Sequence, residues 1–139
     1  MSQFGNRPIL VVGLGCRRGC SVESLTALID ESLALQGFAL SDITALASID
    51  LKSAESGLLE LTARLGVSLV FFSTEDLSAF EGQLSHRSQP AFDATGCYGV
   101  AESAALALAA QLSTAPPRLL ITRRKNNHAT FALAGANPP

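Results

Sequence analysis

Short apolar runs alternate along the chain with segments whose apolar residues recur every three to four positions. The runs Ile9 to Leu14, Ile43 to Ile49 and Leu69 to Phe72 have the continuous apolar character of strands buried on both faces of a parallel sheet. The segment from Ser21 to Gln36 has the period of an amphipathic helix, and a second such helix precedes Gly66. Because parallel neighbours need crossover helices, this alternation predicts an α/β fold.

The second half of the chain predicts one more helix and a hairpin. The Ala-rich segment from Val100 to Leu112 is apolar on nearly every side, which predicts a closely packed helix that ends before the Pro116-Pro117 pair. Leu119 to Thr122 and the alternating residues after Ala129 predict two antiparallel strands. The basic and amide residues of 123–127 between them are expected to form the hairpin tip.

These elements predict one domain. At 139 residues and 47% hydrophobic content, the chain is long enough to bury a single core. We expect a single-domain, three-layer α/β/α fold with a central, mostly parallel sheet of about five strands and a C-terminal antiparallel hairpin. The domain is expected to occupy 9–134, with a flexible N-terminus (1–8) and a flexible tail (135–139).

Two glycine-rich stretches each precede a predicted helix. The first runs from Gly13 to Ser21, where glycines permit a tight turn, Arg17 and Arg18 add positive charge, and Ser21 can cap the helix. The second, Thr95 to Gly99, opens the Ala-rich helix, so its backbone N–H groups could complete a concave surface. Both stretches are expected to receive an anion.

Composition excludes several classes of partner. The net charge is −2 and the pI about 5.6, so the chain lacks the global basic field of a general nucleic-acid binder, and any anion site must be local. No apolar run approaches the ~20 residues of a membrane span, and no signal-type segment opens the chain. We therefore expect a cytoplasmic protein without nucleic-acid or membrane partners.

The basic residues concentrate in turns that follow predicted strands. Six of the ten lie there, and few lie on helix faces. Ligands of open α/β sheets bind outside the carboxyl ends of the strands, so these side chains are expected at one rim. Each one alone also fits a solvated loop residue, but together they favour a site for a ligand with several negative charges. The predicted binding residues are Arg17, Arg18, Lys52, Thr95, Arg123 and Lys125.

Motifs for cofactors and metals are few. The glycines of 13–19 follow GxGxxxG, one residue longer than the dinucleotide fingerprint, so a nucleotide-binding module remains an alternative. A P-loop and a GxSxG nucleophile elbow are both missing from the sequence. The cysteines and histidines have no recognised metal-ligand spacing, so we expect no metal and no cofactor.

Carboxylates and thiols near the predicted rim are the remaining chemical groups. Asp50 and Glu102 are candidate proton-transfer residues, although Glu102, like Glu55, is equally suited to stabilising a helix start. Three cysteines in a chain without a secretion signal favour reduced thiols. Cys16 and Cys97 lie beside basic groups and helix starts, where a thiol pKa falls, or they are small buried turn residues.

Five motifs follow one another in order from about Ile9 to Ala134. They are Gly13 to Gly19 (GLGCRRG), Ala45 to Lys52 (ALASIDLK), Phe72-Ser73 with Glu75, Glu81-Gly82, and Thr95 to Glu102 (TGCYGVAE). Together they resemble the CobE family of cobalamin (vitamin B12) biosynthesis. This family is the stand-alone counterpart of the C-terminal domain of CbiG proteins. The resemblance covers almost the whole chain.

The resemblance implies a role in building the corrin ring, in the aerobic route. CbiG proteins are associated with opening a lactone on a cobalt-precorrin and releasing a two-carbon fragment as acetaldehyde. The implied ligand is a precorrin or corrinoid tetrapyrrole, whose acetate and propionate side chains suit a basic rim. Two functions remain open, a binding protein that acts as carrier or accessory factor and a precorrin-processing hydrolase. Other enzymes of the pathway are candidate partners.

Several positions match the motif residues of the family, and others depart from them. The chain has Cys20 where a threonine is more typical, and it departs from the pattern at Asn126 to His128 and at Ser85 to Pro90. Loop contacts of the family are therefore not carried over to the segment Ser85 to Pro90. The matching positions are Arg17, Arg18, Asp50, Lys52, Thr95, Glu102 and Lys125.

Overall fold

Five strands form one mixed sheet at the centre of the molecule, whose computed structural model describes residues 8–136. The sheet has the spatial order β3-β2-β1-β5-β4. The first three strands are parallel, and β5 runs antiparallel to both of its neighbours, so β4 points the same way as β1. The expected mostly parallel sheet with a C-terminal antiparallel hairpin is confirmed. The strands are β1 (Ile9–Cys16), β2 (Ala45–Ile49), β3 (Ser68–Phe72), β4 (Arg118–Lys125) and β5 (Ala129–Ala136).

Helices cover both faces of the sheet. Alternating β1 residues separate the two cores: Leu10 and Val12 pack with α1 and α2, whereas Ile9 and Val11 pack with α3 and α5. The predicted three-layer α/β/α arrangement is therefore confirmed. The helices are α1 (Val22–Ala34), α2 (Ser56–Leu65), α3 (Thr74–Ser78), α4 (Gln89–Thr95) and α5 (Val100–Leu112).

The helix α5 lies directly on the backbone of β1. Every residue from Val100 to Ala109 is buried, as expected for a helix that is apolar on nearly every side. Gly13 makes this approach possible, because a Cβ atom there would lie 1.9 Å from the carbonyl oxygen of Ala101 and 2.8 Å from the backbone nitrogen of Ala105. The role of Gly13 is thus packing within a strand, whereas the sequence predicted a tight turn.

The first turn begins later than the sequence predicted, because β1 continues through Cys16. The turn spans 17–20, where the Cys20 N–H donates to the Arg17 carbonyl oxygen and Gly19 has a φ of 77°, which favours glycine. Ser21 then caps α1 as predicted by accepting from the Ser24 N–H at 3.1 Å.

The predicted boundaries of the hairpin tip and of the C-terminal tail also differ from the structure, because strand pairing extends β4 and β5. Arg123 to Lys125 belong to β4, so the hairpin turn is 126–128 and not the predicted tip at 123–127. Gly135 and Ala136 were expected in the tail, but Ala136 pairs with Ile9 in β5. The rest of the predicted tail (137–139) and all but Pro8 of the predicted flexible N-terminus lie outside the described residues.

The sequence prediction missed one helix. No helix is predicted between the segment Ser85 to Pro90 and the glycine-rich stretch that begins at Thr95, where the structure has α4. Ser88 caps α4 by accepting from the Ala91 N–H at 3.2 Å, and Pro90 occupies its first turn, where a missing N–H costs nothing. Within the part of the chain that the structure describes, no helix is both long and apolar enough to cross a membrane.

The contact between α5 and β1 predicts a strong effect of a single methyl group. The substitution Gly13→Ala should destabilise the protein by ~1–3 kcal/mol, because the helix backbone must move away from the strand. Urea unfolding measures this as a lower transition midpoint. Gly82→Ala is the matched control, since a Cβ at Gly82 meets no atom within 4 Å. Equal midpoints for the two variants would contradict the proposed packing role.

Candidate functional site

A cavity of about 430 Å³ opens where the carboxyl ends of β1 and β4 meet the start of α5. The turn after β2 and the first residues of β5 complete the sheet side, and α4 supplies another wall. Five of the six predicted binding residues line this cavity together. They are Arg17, Lys52, Thr95, Arg123 and Lys125.

Two predicted site residues lie elsewhere. Arg18 and Asp50 are exposed and are not part of the cavity lining. Arg18 lies in the turn beyond Arg17, and Asp50 begins the short 3₁₀ turn that brings Lys52 to the cavity. Asp50 thus lies outside the cavity lining, two residues before Lys52 in the same short turn.

The three consecutive basic residues at the end of β4 alternate between the two faces of the sheet. Arg123 and Lys125 line the cavity, whereas Arg124 extends from the other face, where its Nε donates to Ser32 Oγ of α1 at 3.0 Å. A hairpin tip would not have separated these side chains. The register of β4 against β5 is irregular before Arg124, and the extended backbone at the end of the strand determines which two of the three charges reach the cavity.

The four cationic side chains of the cavity have no acidic partner within residues 8–136. The ion pairs formed there join Arg64 to Glu23 and Glu60, and Arg87 to Glu81. Among the described residues that line the cavity, only Glu102 is acidic. With four cationic side chains against one buried carboxylate, the cavity has a net excess of positive charge.

Glu102 is 1% exposed, and the protein occupies both of its carboxylate oxygens. Oε1 accepts from the Ser85 N–H at 2.8 Å, and Oε2 accepts from the Ser85 hydroxyl and from the Arg123 N–H, the latter at 2.8 Å. Glu102 thereby joins the start of α5 to the 84–88 loop and to β4. This arrangement fits a residue that positions Arg123 better than a free proton-transfer group.

A backbone N–H group of the first turn donates a hydrogen bond to a carboxylate of the protein. The Gly19 N–H donates to Glu55 Oε1 at 2.8 Å, so this donor is not free to receive an external anion. The helix start that faces the cavity is that of α5, whose N-cap residue Gly99 has no side chain that could cap it. The Glu102 carboxylate in the first turn of α5 offsets the N-terminal partial charge of this helix.

The pKa of the Cys16 thiol, which lines the cavity, is determined mainly by burial. Desolvation raises the pKa of Cys16 from 9.0 to about 12, with smaller contributions in the same direction from Cys20 and Glu55. Burial likewise raises the pKa of Cys20. Of the two alternatives for Cys16, the structure supports a small buried residue and not a thiol of lowered pKa, because removal from water disfavours the thiolate more than Lys52 stabilises it.

The sequence prediction did not identify several lining residues. Tyr98 stacks on Phe92 of α4 with ring centroids 4.4 Å apart, and the Arg87 guanidinium lies 5.7 Å from the Tyr98 ring centre. Asn126 and His128 reach the cavity from the hairpin turn. The available signal for the α4 wall was the Ser-x-Pro pattern of a helix start. Among the described residues, no three His, Cys, Asp or Glu side chains are grouped so that they could hold a metal ion.

Because of these contacts, removal of the Glu102 carboxylate should lower the free energy of unfolding. Glu102→Ala leaves the Ser85 and Arg123 N–H groups without an acceptor, at a cost of ~1–3 kcal/mol for each group that stays buried. Urea unfolding should therefore show a clear loss of stability. Glu31→Ala, at an exposed position of α1, is the control and should change stability little. Stability as high as in the control would argue against the joining role of Glu102.

The raised pKa of Cys16 predicts slow alkylation of the folded protein. A rise from 9.0 to about 12 means a roughly thousand-fold smaller thiolate fraction near pH 8. Iodoacetamide at pH 8 should label Cys16 slowly in buffer and rapidly in denaturant, and the native rate should keep rising with pH toward 12. Peptide mass mapping measures labelling at this residue. Rapid native labelling at pH 8 would contradict the pKa assignment.

Comparison with known proteins identifies relatives along nearly the whole chain. The family model described as cobalamin synthesis G C-terminus matches residues 10–134. Protein CobE of Sinorhizobium sp is 36% identical over 126 residues, which cover 91% of this chain and 79% of that protein. A cobalt-precorrin-5A hydrolase of Priestia megaterium is 32% identical over 126 residues, which cover 91% of this chain and 32% of the hydrolase. This chain thus spans about a third of the hydrolase's length.

The fold is shared with a solved relative. The crystal structure of CobE, a protein from the cobalamin (vitamin B12) biosynthetic pathway, superposes with a TM-score of 0.89 at 42% identity, covering 92% of this chain and 90% of that chain. The resemblance stated from the sequence motifs is thereby confirmed. The chain belongs to the cobalamin synthesis G C-terminus family, together with Protein CobE, and takes part in cobalamin biosynthesis.

Proposed function

We propose that this protein binds an anionic precorrin or corrinoid intermediate in the basic cavity and acts as a carrier or accessory factor. The observation that carries the proposal is the group of four cationic side chains around one cavity, with no acidic partner in the described part of the chain. Precorrins carry several acetate and propionate groups. Each charge-assisted hydrogen bond to a carboxylate contributes ~1.5–3 kcal/mol when it is partly desolvated.

The cavity also offers surface for the macrocycle itself. Val100, Ala101 and Ala129 contribute apolar surface, and Tyr98 contributes an aromatic ring that Phe92 supports from α4. Ligand pockets typically combine an apolar lining with a few placed polar groups that set orientation. This lining suits a flat ring whose charges lie at its periphery.

The hydrolase alternative has weaker support from the site. Glu102 has both oxygens occupied by hydrogen bonds, and Asp50 lies outside the cavity lining. The relative named as a hydrolase is about three times as long as this chain, so its activity can depend on regions that have no counterpart here. The nucleotide alternative is also weaker, because Gly13 lies within β1 and packs against α5.

Binding can be tested with uroporphyrin III, a stable tetrapyrrole with acetate and propionate groups on every pyrrole ring. We expect binding that weakens with added salt and that falls by ~10–100-fold in each of Arg17→Ala, Lys52→Ala and Arg123→Ala, because each variant loses one charge-assisted contact. Fluorescence titration measures the affinity of each variant.

The matched control is Arg118→Ala, which removes the same charge from the opposite end of β4. Its affinity should stay close to that of the unaltered protein. No binding of uroporphyrin III, or an equal loss in the control, would overturn the proposed site. The mass of a precorrin bound by stoichiometric protein then separates the two functions, because a carrier leaves the mass unchanged and a hydrolase does not.

A further inference from the structure

The charges of the cavity lie on one side of it. Arg17 and Lys52 follow β1 and β2, and Arg123 and Lys125 belong to the end of β4. The wall that α4 and its cap supply is uncharged and mostly small; its cavity-lining residues are Ser88, Pro90, Ala91, Ala94 and Thr95. A ligand in this cavity therefore meets cations along the sheet edge and none on α4.

The cations of the sheet edge form a row. The strand order places β5 between β1 and β4, so these two strands are two interstrand spacings apart, or ~10 Å. Arg17 follows β1, and Arg123 lies in β4. Lys52, after β2, extends the row to three spacings, or ~14 Å. Carboxylate arms on neighbouring pyrrole rings along one edge of a tetrapyrrole lie in such a row. Arms on the opposite edge would point away from these cations.

The volume of the cavity supports contact with only part of the ligand. At about 430 Å³ it lies toward the small end of pockets that enclose drug-sized ligands, which measure ~300–1,000 Å³. A tetrapyrrole with its acetate and propionate arms is considerably larger than a drug-sized molecule. One edge can enter the cavity while the remainder of the ring stays outside.

We infer that the protein holds its ligand by one carboxylated edge, an inference that rests on the proposed function. Two carboxylates on adjacent pyrrole rings bind the cationic row, the ring lies along the uncharged α4 wall, and the opposite edge remains in solvent. The ligand class is thus any tetrapyrrole with carboxylate arms on two adjacent rings. The protein presents such a ligand instead of enclosing it.

Two porphyrins separate one-edge binding from full enclosure. Mesoporphyrin IX carries its two propionates on adjacent rings, at one edge only, whereas uroporphyrin III has carboxylates at every edge. We expect the dissociation constants to agree within about tenfold, and the dimethyl ester of mesoporphyrin IX to bind about 100-fold more weakly or worse, because it loses both charged contacts. Arg17→Ala and Arg123→Ala should weaken both porphyrins by the same factor.

A second measurement reports directly on the exposed edge. Acrylamide, a neutral quencher, should still quench the fluorescence of bound uroporphyrin III. The quenching constant should be smaller than that of the free porphyrin but greater than zero, the value for a fully protected ligand. Complete protection would overturn one-edge binding, as would mesoporphyrin IX binding more than about 100-fold more weakly than uroporphyrin III. These results leave the proposed function intact if uroporphyrin III binding depends on Arg17, whereas failure of both porphyrins to bind overturns the proposed function itself.

Discussion

The close contact of α5 with β1 is the constraint on which the rest of the structure depends. At Gly13 the helix backbone comes so near the strand that a single methyl group would collide with Ala101. This approach allows a helix that is buried on nearly every side to lie on the sheet, and it places the start of α5 beside the carboxyl end of β1. The cavity opens at this junction, and both Arg17 and the first turn of α5 line it.

Carboxylates of the protein satisfy backbone donors around the cavity and leave its cationic side chains free. Glu55 accepts from Gly19 in the first turn, and Glu102 accepts from Ser85 and Arg123. The Ser85 and Arg123 N–H groups that Glu102 accepts from are partly buried, so they would be costly to leave without an acceptor, whereas the bond from Gly19 to Glu55 is exposed. The positive charge offered to a ligand therefore comes from the basic side chains, and not from the backbone of the first turn.

Much of the fold and part of the site could be predicted from local patterns. Strand and helix periods identified β1, β2, β3, α1, α2 and α5, and the rule for the carboxyl ends of parallel strands placed Arg17 and Lys52 at one rim. Neighbouring residues alone gave the wrong indication at two points, the end of β4 and the pKa of Cys16. Strand pairing carried β4 through Lys125, and burial raised the pKa of Cys16 where neighbouring charge alone suggested a lowered one.

The sequence by itself determined the α/β class, the family and the set of basic residues from which the site is built, because each depends on residue type and spacing along the chain. Tertiary structure decided which of those residues share a cavity. It placed Arg18 and Asp50 outside, directed Arg124 to Ser32, and brought α4 with Tyr98 to the site. The physical reason is that side-chain direction depends on strand register and helix packing, which involve residues far apart in sequence.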